Sequence, residues 1–240
     1  MGTAVVVALD FDTEREAMSL VERLGPAAVS YKVGLQALTA AGPRLVRNLV
    51  ANGKQVFLDL KLHEIPNSVA GAVRAAGDLG VSLVTVHASA GSSVLKAAVQ
   101  AARPFPQLRV LGLTVITSLA DADLPEVGLA PSVEQQVRRL AGLASAAGCH
   151  GVVASVQEAS FLRESLAPNA LIVCPGIQLP DSGDTDQVRV ATPAAAVRAG
   201  ATHIVVGRAV SAAANPVAAY EAIVAACEAA RSRNPGGGSV

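Results

Sequence analysis

Short runs rich in Val, Ile and Leu alternate along the chain with longer amphipathic stretches rich in Ala and Leu. The apolar runs fall at 4–10, 28–34, 55–61, 83–88, 109–117, 151–155, 171–176 and 203–207. Their β-branched content and lack of alternation predict strands buried on both faces. Between them, segments such as REAMSLVERL, PRLVRNLVANG, SVEQQVRRLAGLASAAG and TPAAAVRAG carry the helical period. Thr192-Pro193 sets an N-cap residue before a first-turn proline, and Gly200 closes that helix. Gly148 closes the helix that begins near Ser132 in the same way. Eight such β-then-α units predict either a closed barrel or a large doubly wound sheet.

Polar residues at the strand ends decide between the two. Asp10 ends the first run, Lys32 lies late in the second, and Asp59 and Lys61 end the third. His87 ends the fourth, Thr117-Ser118 the fifth, Gly176 the seventh and Gly207-Arg208 the eighth. In a barrel these ends converge on one face, where barrel enzymes keep their chemistry; in an open sheet they would spread along an edge. The expectation is therefore a single-domain (β/α)8 TIM barrel over residues 1–230, with 231–240 as a disordered tail.

Composition suits that fold. Hydrophobic residues make up 51% of the 240 residues but aromatics only 2%, so the core must be built from Ala, Val, Leu and Ile. Nineteen basic residues balance nineteen acidic ones. With no basic run and few aromatics there is no footprint for polymeric nucleic acid. Three scattered cysteines without a CxxC argue against a disulfide framework or a zinc site and fit a cytoplasmic protein. No apolar segment reaches the ~18 residues of a membrane span. No GxSxG elbow is present, and no His/Asp/Glu group has metal-ligand spacing.

The segment VFLDLKLHEIPNS carries the most chemistry. Asp59 and Lys61 are two apart, so a strand points both to the same side. Opposite charges inside an apolar run are costly to bury unless paired or functional. Lys32, Asp10 and Glu64 near other strand ends turn a simple rim ion pair into a preorganised electrostatic site. The glycines of CPGIQLP and VGRAV, with Arg208, suit a phosphate at the ends of strands seven and eight. His63 and His87 have packing or hydrogen-bonding roles as their plain alternatives. His150 and His203 precede strands and carry no expected function.

At these residues the chain resembles the orotidine 5'-phosphate decarboxylase family in its bacterial form. The matching pieces are VALDF (7–11), YKVGLQ (31–36), FLDLKLHEIPNSV (57–69), VHASAG (86–91), LTVITS (113–118), PGIQ (175–178), DQVRVATP (186–193) and IVVGRAV (204–210). The resemblance implies metal-free, cofactor-free decarboxylation of orotidine 5'-monophosphate to UMP. It puts Lys32, Asp59, Lys61 and Glu64 on an alternating charge array, with Lys61 facing C6 as the proton source. It gives Asp10 and Lys32 to the ribose, Thr117 and Ser118 to the pyrimidine, and Gln178, Gln187, Gly207 and Arg208 to the phosphate. A loop around 179–187 would close over the site. Glu64 and Ser68 would reach the neighbouring subunit's site, which implies a homodimer with shared active sites.

Position 64 is Glu where the family pattern has Asp, 68 is Ser in place of Thr, and 178 is Gln where bacterial relatives usually have Arg. Two other readings stand beside this one. A magnesium-dependent sugar-phosphate decarboxylase or aldolase would share the Asp-x-Lys-x-x-acid pattern but needs a metal-binding Glu where Lys32 stands. A non-catalytic nucleotide-binding barrel would account for Glu64 and Gln178.

Overall fold

A computed structural model describes residues 2–179 and 189–232. Eight parallel strands close into a barrel in sequence order. They are β1 (Ala4–Ala8), β2 (Ser30–Gly34), β3 (Gln55–Leu62), β4 (Leu83–His87), β5 (Arg109–Leu113), β6 (Gly151–Val153), β7 (Leu171–Ile177) and β8 (His203–Val206). At least one helix follows each strand, and β1 pairs with β8 through Ala4↔His203 to Val7↔Val206. The barrel reading of the strand ends is correct.

The period of two sorts each strand's side chains between two cores. Val6 and Ala8, Phe57, Leu83, Leu111 and Leu113, Val153, Val173 and Val205 pack together inside the barrel. Val5 and Val7, Val56 and Leu58, Val84 and Val86 face outward into the larger cluster beneath the helices. Both faces are apolar, which is why the strands read as continuous runs. Phe57 is the one aromatic of the inner cluster; the rest of the interior is filled by Ala, Val and Leu.

Local signals in the sequence set the helices. Thr192 Oγ1 accepts from the Ala195 N–H at 3.2 Å, and Ser132 Oγ from the Gln135 N–H at 3.3 Å. Gly148 and Gly200 adopt φ +85° and +87° after the helices they close. Gly151 opens β6 against β7 so closely that a Cβ there would meet the Leu171 carbonyl oxygen at 2.1 Å.

Two boundaries differ from expectation. β5 stops at Leu113, not 117, because Thr114 turns both its N–H (3.1 Å) and its hydroxyl (2.9 Å) onto the Val153 carbonyl. Thr117 and Ser118 therefore sit on a turn beyond the strand. The last helix, Pro216–Ser232, continues through Arg231 and Ser232, the first two residues of the expected tail. Residues 233–240 lie outside the described residues. Among the described residues, no helix is long and apolar enough to cross a membrane.

Candidate active site

At the C-terminal mouth the inward parity continues upward from the apolar plug. Asp59 follows Phe57 on β3, and Thr85 and His87 follow Leu83 on β4. Lys32 lies beside Phe57 and Gly34 beside Asp59 in the β2–β3 register. The result is a row of alternating charge. Lys32 Nζ lies 3.1 Å from Asp10 Oδ1 and 3.8 Å from Asp59 Oδ2, and Lys61 Nζ lies 2.8 Å from the same Asp59 oxygen. The Asp59 side chain is only 10% exposed and Lys32 13%, so each of these nearly buried charges sits against an opposite one.

Beneath Lys32, Gly34 leaves the space the ammonium uses. A Cβ at that position would lie 3.0 Å from Lys32 Nζ and 3.4 Å from Asp10 Oδ1.

Lys61 is held in an unusual way. Its φ is +50°, the single positive value outside glycine among the described residues. For a lysine this region costs about 1–2 kcal/mol, and such strain gathers at functional sites. The β3–β4 ladder slips between Leu58 and Leu62, so Lys61 falls in the irregular stretch. The Lys61 N–H donates instead to Thr85 Oγ1 at 2.8 Å, and the Thr85 hydroxyl donates to Asp59 Oδ1 at 2.9 Å.

Glu64 stands apart from the row. Its carboxylate is fully exposed and is held below the ordinary carboxylate value by the Ile65 N–H and the Ser68 hydroxyl. Among the described residues it forms no ion pair, so within one chain the array consists of Asp10, Lys32, Asp59 and Lys61. Glu64 is expected to reach a neighbouring subunit's site rather than its own. Ser68 is exposed beside it, and Ile65 between them is 62% exposed.

His63 and His87 stack with ring centroids 5.2 Å apart. Burial lowers the His87 pKa, assisted by His63 and Lys61 and opposed by Asp59, so the ring beside the lysines favours its neutral form. His150 and His203 lie at the opposite, N-terminal end of the barrel. There His150 Nδ1 accepts from the Val110 N–H at 3.1 Å.

The phosphate candidates are partly described. Gly176 has φ +76°, and the Gln178 N–H donates to the Ala191 carbonyl at 2.9 Å. Gln187 and, apart from Leu179, the rest of the loop expected to close over the site around 179–187 lie outside the described residues. The helix after Gly207 is a single four-residue turn, Arg208–Ser211, too short to carry much dipole. Arg208 is exposed at the rim.

Two features escaped the sequence reading. Thr85 is one; a threonine two residues before His87, on the same strand face, was its only signal. The other is a buried ion pair between Arg189 and Glu158. Glu158 also accepts from the Ser155 N–H at 2.6 Å, completing an S-x-x-E capping box. Arg189 Nη2 donates to the Val115 (3.2 Å) and Ile116 (3.0 Å) carbonyls, which hold the turn carrying Thr117 and Ser118.

Known proteins share this fold and much of this sequence. The chain is 48% identical over 224 residues to an orotidine 5'-phosphate decarboxylase of Laribacter hongkongensis, covering 91% of this chain and 90% of that one. It is 48% identical over 227 residues to the enzyme of that name from Halorhodospira halophila, covering 94% and 96%. The crystal structure of orotidine 5'-phosphate decarboxylase from Lactobacillus acidophilus superposes with a TM-score of 0.84 at 35% identity, covering 94% of this chain and 99% of that one. Since the family's model also matches from residue 3 to residue 223, the chain belongs to the orotidine 5'-phosphate decarboxylase / HUMPS family.

Proposed function

We propose that this protein decarboxylates orotidine 5'-monophosphate to UMP without metal or organic cofactor. The observation that carries the reading is the Lys61 ammonium, fixed 2.8 Å from a nearly buried Asp59 carboxylate that Lys32 also faces. The C6–carboxylate bond breaks, CO2 leaves, and the electron pair stays on C6. Lys61 stabilises that pair and transfers a proton to it, giving UMP; solvent then reprotonates the amine. A carbanion with no electron sink demands roughly 20 kcal/mol of differential stabilisation. Fixed charges in a site with little water, aided by binding energy from the remote phosphate, are a source of that size.

Asp59 would lie near the departing carboxylate and would also position Lys61. Asp10 and Lys32 take the ribose, Thr117 and Ser118 the pyrimidine, and Gln178, Gln187, Gly207 and Arg208 the phosphate. The magnesium-dependent alternative is disfavoured by Lys32, an ammonium where a metal-binding carboxylate is needed. Among the described residues no three His, Cys, Asp or Glu side chains are grouped to hold a metal.

Glu64, Ile65 and Ser68 support a homodimer in which Glu64 and Ser68 complete the partner's site. Glu64 is charged, exposed and without an ion pair among the described residues, next to an exposed isoleucine. The free cysteines and a small nucleotide substrate fit a cytoplasmic enzyme.

The test is loss of the substrate's ultraviolet absorbance in the presence of EDTA, with wild type and Lys61→Ala in parallel. Turnover that survives the chelator and vanishes in the variant is expected. No turnover with UMP still bound would overturn the reading in favour of a binding barrel. Magnesium-dependent activity on a sugar phosphate would favour the sibling enzyme. Mixing inactive Lys61→Ala and Glu64→Ala chains tests the shared site. Random exchange leaves one intact site in half the dimers, so about a quarter of wild-type activity should return.

A further inference from the structure

We propose that Thr85 is a positioning residue for the Asp59–Lys61 pair, acting through one hydroxyl that fixes both partners at once. This rests on the decarboxylase reading for its activity assay, but the geometry stands without it. Thr85 is completely buried on the inward face of β4, and its Oγ1 makes two bonds of opposite sense. An ionised carboxylate only accepts, so the single hydroxyl proton goes to Asp59 Oδ1. A hydroxyl lone pair is then left for the Lys61 N–H.

Each bond controls a different degree of freedom. The bond to Oδ1 sets the carboxylate's rotation and leaves Oδ2 directed at the two ammonium groups, 2.8 Å from Lys61 and 3.8 Å from Lys32. The bond from the Lys61 N–H replaces a ladder partner where the β3–β4 register breaks, and it supports the left-handed backbone that determines where the lysine stem starts. A purely structural threonine needs neither coincidence: any carbonyl would satisfy its proton, and any acceptor the N–H.

The site's remaining contacts do not replace this bridge. Lys32 holds Asp59 only through Oδ2, and at the longer distance. Without the hydroxyl, the carboxylate can rotate and the lysine backbone can relax away from φ +50°. Both movements displace the amine from where C6 would sit. Substrate binding through ribose and phosphate is untouched, so the loss should appear in kcat.

Thr85→Val keeps the β-branched shape and removes both bonds; Thr85→Ser keeps the hydroxyl; Thr85→Ala is a second hydroxyl-free variant should the valine protein fail to fold. In the hydroxyl-free variants kcat should fall roughly 10- to 100-fold, the scale of an ångström of misplacement. UMP affinity should hold within about twofold, and Thr85→Ser should recover most of the rate. Independently of turnover, 13C-methylation of the lysines should show the Lys61 resonance displaced in Thr85→Val and that of Lys54 unchanged. Unchanged kcat in a folded hydroxyl-free variant, a serine variant as slow as valine, or an unmoved Lys61 resonance would each overturn the proposal. Wild type without turnover on orotidine 5'-monophosphate would instead sink the decarboxylase reading, and the resonance would still decide the role of Thr85.

Discussion

Breaking the Arg189–Glu158 pair should cost more than removing it entirely. Arg189 is 8% exposed and Glu158 4%, so neither charge has solvent to fall back on. Arg189→Met strips Glu158 of its counter-charge and leaves only the Ser155 bonds to it. Unpairing a buried charge costs about 3–5 kcal/mol. The Val115 and Ile116 carbonyls lose their donor as well, at about 1–3 kcal/mol for each that water fails to reach. These terms share one side chain and do not simply add, so a loss of about 4–5 kcal/mol is expected for Arg189→Met. Glu158→Gln keeps the shape and much of the capping box, and should lose about 3 kcal/mol through the orphaned guanidinium. Arg189 Nε already has no partner among the described residues, so that guanidinium has no spare satisfaction to draw on.

The double variant Arg189→Met/Glu158→Leu leaves no buried charge. Its loss reduces to the cap, about 1 kcal/mol, and the two carbonyls. It should therefore be more stable than Arg189→Met by about 2 kcal/mol. The assay is urea denaturation followed by circular dichroism at fixed protein concentration, with equal slopes as the check that only stability changed. For a chain of this size 4 kcal/mol corresponds to roughly 8–16 °C in Tm. Raising salt should leave the differences in place, because a buried pair is barely screened. Single losses below about 1 kcal/mol, or a double variant whose loss is the sum of the two, would refute the account.

Other consequences are simpler. Gly34→Ala should lower kcat/KM by tenfold or more with little change in stability, because its Cβ would stand 3.0 Å from Lys32 Nζ; wild-type kinetics in that variant would refute the crowding argument. Burial pushes the Cys149 and Cys174 thiols up from 9.0 to about 12, with the Glu158 charge adding to the effect at Cys174. The unfolded chain therefore gives up these protons first, and stability should fall as pH rises from about 9 towards 12, with both thiols unreactive to a disulfide reagent at pH 8 until urea is added. Burial also lowers His87, His150 and His203 from 6.5. The unfolded chain binds those protons more readily, so their contribution to stability is present above about 6.5 and is lost as pH falls below it; resonances of these three histidines titrating at or above 6.5 would contradict this.

The features legible in the sequence were those that repeat. The eight strands announced themselves because both faces of each are apolar, and the shared side of Asp59 and Lys61 followed from their spacing of two. Ends were less legible: Val115, Ile116 and the threonines around them read as strand, and only the turn of Thr114 onto Val153 ends β5. Lys61 could not be read as left-handed, since that backbone is expected of glycine or asparagine and no local signal marks it. Thr85 was overlooked because threonine is an ordinary strand residue whose partner lies 26 positions away. Glu158 and Arg189 are 31 apart, and only the capping box at Ser155 was local. Glu64 was placed in the array by resemblance; a single chain leaves it outside.

That last separation bears on how the site works. Within one subunit, two carboxylates and two ammonium groups alternate, so the row is neutral before any ligand arrives and each buried charge sits against its opposite. In the proposed reaction, a substrate carboxylate beside Asp59 would add a negative charge that the row cannot neutralise locally, and loss of CO2 would move that charge onto C6, next to Lys61. The arrangement favours the charge distribution after bond breaking over the one before it, and such preference for the later state is what accelerates a reaction. It holds only if Asp59 cannot swing away and Lys61 cannot retreat. The hydroxyl of Thr85 prevents the first, and the left-handed backbone it supports prevents the second. In the proposed homodimer, a second carboxylate brought by Glu64 from a partner would hold Lys61 as well, which would tie the rate to assembly and make the exposed segment 64–68 as much a part of the electrostatics as the buried strands.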